Sequence, residues 1–154
     1  MSKSEVGRKA PQFTLEGTAG SWSLSDAAGG AVVIYFYPRD NTPGCTQQGA
    51  DFAAAYPEFK KAKAAIFGIS ADVIESHEKF KRKMAFPFEL LSDPDKKVCM
   101  LYGVIREKSM YGKKFLGIER STFLIDGKGR LRQVWRKVKV NGHAAEVLAA
   151  VKAL

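Results

Sequence analysis

The chain has 154 residues, 45% of them hydrophobic, and carries a formal charge of +9 with a pI of about 9.6. That length and apolar share predict one domain over residues 1–154, with a core that needs no disulfide staples. Two cysteines exclude a disulfide framework, and no apolar run is long enough for a bilayer. The N-terminal MSKSEVGRKAPQF has no apolar signal stretch, so a reducing, cytoplasmic setting without a membrane partner is expected.

In chain order, residues 1–11 read as a loose lead-in, Phe13–Leu15 as a short strand and Trp22–Asp26 as a turn or single helical turn. Ala28-Gly29-Gly30 reads as a flexible approach to the apolar run Ala31–Tyr37. That run has no polar alternation, the pattern of a strand buried on both faces at a sheet centre. Pro38 ends it by removing a ladder donor, Asn41-Thr42-Pro43-Gly44 is turn chemistry, and a helix begins near Cys45. Phe52, Tyr56 and Phe59 mark its apolar face, and Pro57 predicts a kink or break near Tyr56. Ala65–Ser70 reads as a second buried strand, parallel to the first through the helical crossover.

Asp72 is the expected cap of a helix carrying Ile74, His77, Phe80 and Met84 on one face, stopped by Phe86-Pro87-Phe88. Glu89–Leu91 is a short strand. Asp93-Pro94 reads as an N-cap with proline at the first position of a short helix through Tyr102, closed by Gly103. Residues 106–119 read as a loop, Thr122–Asp126 and Leu131–Val138 as a hairpin around Asp126-Gly127-Lys128-Gly129, and Ala144–Ala153 as a final helix. The fold class is α/β, a mixed sheet with helices on both faces.

Cys45 carries the most chemistry. On the first turn of a helix its sulfur meets unpaired amides and the positive end of the helix dipole, which favour the nucleophilic thiolate. Thr42, three residues earlier, can aim a hydroxyl at the sulfur or at whatever it attacks. The bland alternative is a small, inert buried thiol.

The octapeptide Pro38-Arg39-Asp40-Asn41-Thr42-Pro43-Gly44-Cys45 resembles the P-x-x-x-T-x-x-C motif of the peroxiredoxins, and DNTPGCT is similar to their PrxQ branch, the bacterioferritin comigratory proteins. Leu91-Ser92-Asp93, Met110-Tyr111-Gly112-Lys113 and the run Gly117–Asp126 extend the likeness from about Gly7 to the C-terminus. The resemblance implies a thioredoxin fold and a thiol-specific peroxidase for hydrogen peroxide and organic hydroperoxides, without metal or other cofactor, serving antioxidant defence. In it Cys45 is the peroxidatic nucleophile, which becomes a sulfenic acid. Thr42 and Arg120 supply hydrogen bonds to the charge developing along the O–O bond, and Pro38 shields the thiolate from water. On pattern alone Arg120 is a solvated strand-end residue and Pro38 a strand terminator.

Cys99 departs from the branch. The usual positions of a second, resolving cysteine hold Ala50, or Met84-Ala85-Phe86. A structural thiol is the favoured reading of Cys99, with a resolving role the alternative. The expectation is therefore a one-Cys enzyme recycled by an outside thiol such as thioredoxin or glutaredoxin/glutathione, and a monomer. T-x-x-C rather than C-x-x-C argues against a disulfide reductase. The basic residues are spread over 60–63, 79–83, 113–114 and 130–139 without a nucleic-acid motif, so they read as solvated faces and no specific nucleic-acid partner is expected. A basic nucleic-acid coat remains the alternative of a different class, and a redox sensor would use the same sulfenic acid. His77 and His143 have no Cys or carboxylate cluster at metal-ligand spacing and read as surface or core histidines, and Trp22 and Trp135 read as packing residues.

Overall fold

The computed structural model describes residues 5–27 and 29–154; the start of the lead-in and Ala28 lie outside it. Its elements are β1 (Thr14–Gly17), β2 (Gly20–Ser23), a single 3-10 turn (Leu24–Asp26), β3 (Ala31–Phe36), α1 (Pro43–Lys61), β4 (Ala64–Ser70), α2 (Ile74–Met84) and β5 (Glu89–Ser92). After these come α3 (Lys97–Leu101), β6 (Ile105–Met110), β7 (Lys113–Ile118), β8 (Ser121–Ile125), β9 (Leu131–Trp135) and α4 (His143–Lys152).

Seven strands form one mixed sheet in the order β2-β1-β5-β4-β3-β8-β9. The central strand is β3, as its uninterrupted apolar run predicts, and all six of its residues are buried. It pairs parallel with β4 through the α1 crossover and antiparallel with β8. Because side chains alternate along a strand, β3 feeds two separate cores. Val32, Ile34 and Phe36 join Val98, Cys99, Tyr102 and Phe123 on one face. Val33, Tyr35 and Tyr37 join Cys45, Phe52, Phe59, Phe80 and Val147 on the other. Helices α1, α2 and α4 cover that second face, and α3 lies on the first, so helices flank both sides of the sheet as expected.

Four local expectations are corrected in whole or in part, each for a visible reason. Residues 106–119 are not a loop but largely the antiparallel pair β6 and β7. Tyr111 (φ 51°) and Gly112 (φ 77°) give two successive left-handed residues, the geometry of a two-residue hairpin turn. Most residues of both strands are exposed or half-buried, so no apolar alternation marks them. Helix α1 runs through Pro57 without a break. Pro57 is exposed, which leaves the carbonyl it cannot satisfy next to water, while Phe52 and Phe59 pin the turns on either side. Asp72 does not cap α2; its carboxylate is taken up by the backbone amide of Asp40 (2.8 Å) and the Ser70 hydroxyl (2.5 Å). Nor is Asp93 the N-cap of a helix with Pro94 first: α3 begins at Lys97 with Lys96 as its N-cap, and Asp93 serves it from outside, accepting the amides of Val98 (3.3 Å) and Cys99 (2.8 Å).

Candidate active site

Parallel β3 and β4 deliver their carboxyl ends to one edge of the sheet, and the chain leaving β3 turns there into the N-terminus of α1. Ligands of open α/β sheets gather at such edges. Pro38, half-buried, stands at the exit of β3, and Asn41 (φ 60°) supplies the left-handed residue of the turn. Thr42 is the N-cap of α1 and Pro43 its first residue, so Cys45 falls in the first turn, 2% exposed. The Thr42 side chain makes no capping hydrogen bond, so the first turn that carries Cys45 keeps unpaired amide N–H groups and the positive helix pole.

Arg120 arrives from the other direction. Antiparallel pairing sets Phe36 opposite Ser121, so the residue just before β8 sits beside the end of β3. Its Nη2 lies 3.4 Å from Cys45 Sγ, and its Nη1 donates to Gln48 Oε1 at 2.6 Å. Gly44 leaves room for this guanidinium, since a Cβ there would come within 3.1 Å of Nη2. A permanently charged fork shared between thiol and amide is geometry that a lysine cannot reproduce. The strand-end arginine is thus a half-buried partner of the thiol, not a solvated rim residue.

Arg120 thus meets Cys45, while Thr42 caps the start of the same helix and Pro38 stands at the exit of β3. The Thr42 hydroxyl, however, donates to the Arg39 carbonyl at 3.0 Å and not to the sulfur. With its proton held there, its oxygen is left to act as an acceptor. Tyr35, on β3 beneath the sulfur, is kept protonated: burial above all, then the proximity of Cys45 and Asp40, pushes its phenol well above the usual range.

Gln48 escaped the sequence reading. It is one helical turn from Cys45, at the i,i+3 spacing that shares a face, and 1% exposed. That spacing was the available signal. Because Arg120 has only donors, the Gln48 oxygen must face it, and Nε2 is left as a buried side-chain nitrogen without a partner among the described residues.

Cys99 is fully buried in the opposite core. Burial above all, and then the Asp93 carboxylate, pushes its thiol far up, which favours the protonated form. Both histidines are buried and hydrogen-bonded. His143 Nε2 meets the Thr122 hydroxyl at 2.8 Å. Spacing along the sequence gives His77 no carboxylate cluster, but the tertiary fold gathers one: one ligand-type atom each from Asp40, Asp72 and His77 lie within 4.8 Å of one another. Each of these atoms is already engaged in a hydrogen bond within the protein.

The family model described as the AhpC/TSA family matches residues 6–134. The peroxiredoxin Bcp of Xanthomonas campestris pv. campestris is 54% identical over 142 residues, 92% of this chain and 83% of that protein. A solved structure of a Xylella fastidiosa PrxQ cysteine-to-serine mutant superposes with a TM-score of 0.93 at 40% identity, covering 99% of this chain and 98% of that one. A trapped intermediate/ligand complex of the Xanthomonas campestris bacterioferritin comigratory protein, described for its alkyl peroxide reduction activity, superposes with a TM-score of 0.87 at 53% identity over 92% of this chain and 90% of that one.

Proposed function

Given that this chain belongs to the AhpC/TSA family and, within it, to the thioredoxin-fold Bcp/PrxQ peroxiredoxins, which are thiol-dependent peroxidases, we propose that Cys45 is the peroxidatic nucleophile, served by Thr42, Arg120 and Pro38, and that it works without a resolving cysteine. The observation that carries the assignment is Arg120 Nη2 at 3.4 Å from Cys45 Sγ on the first turn of α1.

The chemistry follows from those contacts. The Cys45 thiolate attacks the nearer peroxide oxygen, the O–O bond breaks, and hydroxide or alkoxide departs and takes up a proton. Sulfur is oxidised by two electrons to the sulfenic acid. A low thiol pKa alone does not accelerate attack, because nucleophilicity falls with it. The gain comes from fixed charge where charge develops. Arg120 supplies that charge to the sulfur and to the oxygen it attacks. The Thr42 oxygen accepts the peroxide O–H and so aims the peroxide, and Pro38 keeps water from the rim.

Recycling falls to an outside thiol of the thioredoxin or glutaredoxin/glutathione type. One thiol attacks the sulfenic sulfur, releasing water and leaving a mixed disulfide; a second attacks that disulfide and frees Cys45. The burial of Cys99 on the other side of the sheet supports this reading. A thiol reductant favours a cytoplasmic setting, and a single-domain monomer with hydrogen peroxide and organic hydroperoxides as substrates fits the whole.

Intact mass after one equivalent of hydrogen peroxide, with a sulfenic-acid trap, tests this. An adduct on Cys45 with Cys99 free is expected. A Cys45–Cys99 disulfide would overturn the one-Cys reading, and an unmodified Cys45 would overturn the site.

A further inference from the structure

The turn that carries Thr42 and Cys45 is held from below by a buried polar cluster that the reaction described above does not use. Asp40, 7% exposed, sits two residues before Thr42. Its Oδ1 accepts the Tyr37 hydroxyl at 2.5 Å, and its Oδ2 meets the Ser76 hydroxyl at 2.8 Å and His77 Nδ1 at 2.7 Å. His77 is 0% exposed, and its Nε2 lies 2.9 Å from the Leu91 carbonyl oxygen. The same turn is tied to α2 a second time, by Lys83 Nζ on Asn41 Oδ1 at 2.8 Å.

Counting protons in this cluster gives a definite result. The Leu91 carbonyl can only accept, so Nε2 carries a hydrogen. The contact of Nδ1 with Asp40 also needs a proton, so the pair holds one more than a neutral histidine and a carboxylate would. The Tyr37 and Ser76 hydroxyls already donate to Oδ1 and Oδ2, so Asp40 is the acceptor of the set and the extra proton is placed on Nδ1. The titratable groups facing the imidazole are Tyr37 from β3, Asp40 from the turn, and Asp72 from the segment after β4. We propose that His77 is a positioning residue of the peroxidase site, held as an imidazolium whose Nδ1–H locks the Asp40 carboxylate and, through it, the turn that aims Thr42 at the peroxide. This rests on the assignment of Cys45 and Thr42 made above.

A displaced Thr42 harms peroxide aiming without removing the thiol from its helix end. The cluster therefore acts on the reaction with peroxide and not on sulfur reactivity in general. His77→Leu removes both donors, whereas His77→Asn keeps one N–H near the Nδ1 position. Stopped-flow rates of Cys45 oxidation by hydrogen peroxide are to be compared with rates of its alkylation by iodoacetamide. Misplacement on this scale costs roughly ten- to a hundredfold, so His77→Leu is expected to lose that much toward peroxide, keep its alkylation rate within about twofold, and be partly rescued in His77→Asn. Equal losses in both reactions, or a wild-type peroxide rate in His77→Leu, would overturn the proposal. Nitrogen NMR of the wild-type imidazole needs no variant: two protonated-type ring nitrogens at neutral pH support it, and an unprotonated Nδ1 overturns it. A wild-type protein inert to peroxide would instead overturn the Cys45 assignment itself, so the two failures are distinguishable.

Discussion

Cys45 and Cys99 lie on opposite faces of one sheet, each closed into its own apolar core, with β3 running between them. Bringing the two sulfurs to disulfide distance would require one of them to cross the sheet or its core to open, since bridged Cα atoms lie within about 7 Å. Cys99→Ala is therefore expected to turn over peroxide at the wild-type rate with an external thiol reductant. Its melting point should fall by the equivalent of about 1 kcal/mol for the lost buried sulfur. A variant that stops after one equivalent of peroxide would show that Cys99 resolves Cys45 after all.

Arg120 touches both the sulfur and Gln48. Its replacement by alanine removes the fixed charge, and the expected loss in the second-order rate of Cys45 oxidation is roughly 10²–10³-fold. Arg120→Lys should recover only a small part of this, because one ammonium cannot reach Sγ and Gln48 Oε1 together. Stopped-flow oxidation of the two variants measures it, and a fully active Arg120→Lys would mean that charge alone, not the fork, is what the site needs.

His143 is buried against Phe52 and Trp135. Burial, more than the opposing pull of Glu146, holds its pKa below the ordinary 6.5. The unfolded chain then binds this proton more readily than the folded one, so acid favours unfolding. Its share of stability is fully present above about pH 6.5 and is lost as pH falls through the lower folded value. Thermal melts at several pH values should show wild type losing stability below that point faster than His143→Gln. Parallel pH curves for the two proteins would count against it.

Pro57 sits on the exposed face in the interior of α1. Proline costs about 3 kcal/mol relative to alanine inside a helix, while its stiffening of the unfolded chain returns up to about 1 kcal/mol. Pro57→Ala is expected to stabilise the protein by about 1–2 kcal/mol, read as a higher denaturant midpoint, with peroxidase activity unchanged. A lower midpoint would show that the proline shapes the helix in a way its exposed position does not reveal.

Much was legible in the sequence because it depends on near neighbours. The apolar run Ala31–Tyr37, the turn residues after it and the thiol at the following helix start make a strand–turn–helix by local chemistry, and their order carries the family likeness. The pair β6 and β7 was illegible because an arm exposed on most of its surface needs no apolar alternation, and α1 outlasts Pro57 because flanking core contacts outweigh one lost hydrogen bond.

By itself, then, the sequence determined the α/β class, the central strand and a thiol at a helix N-terminus. Only the tertiary structure decided that Arg120, 75 residues from Cys45, faces its sulfur, because strand pairing sets that approach. It also decided that Gln48 completes the fork, that His77 meets the Asp40 carboxylate at 2.7 Å beneath the turn, and that Cys99 lies beyond the sheet. Those relations depend on which face of a strand or helix each side chain leaves from and on what packs across from it, distances that separation along the chain does not encode.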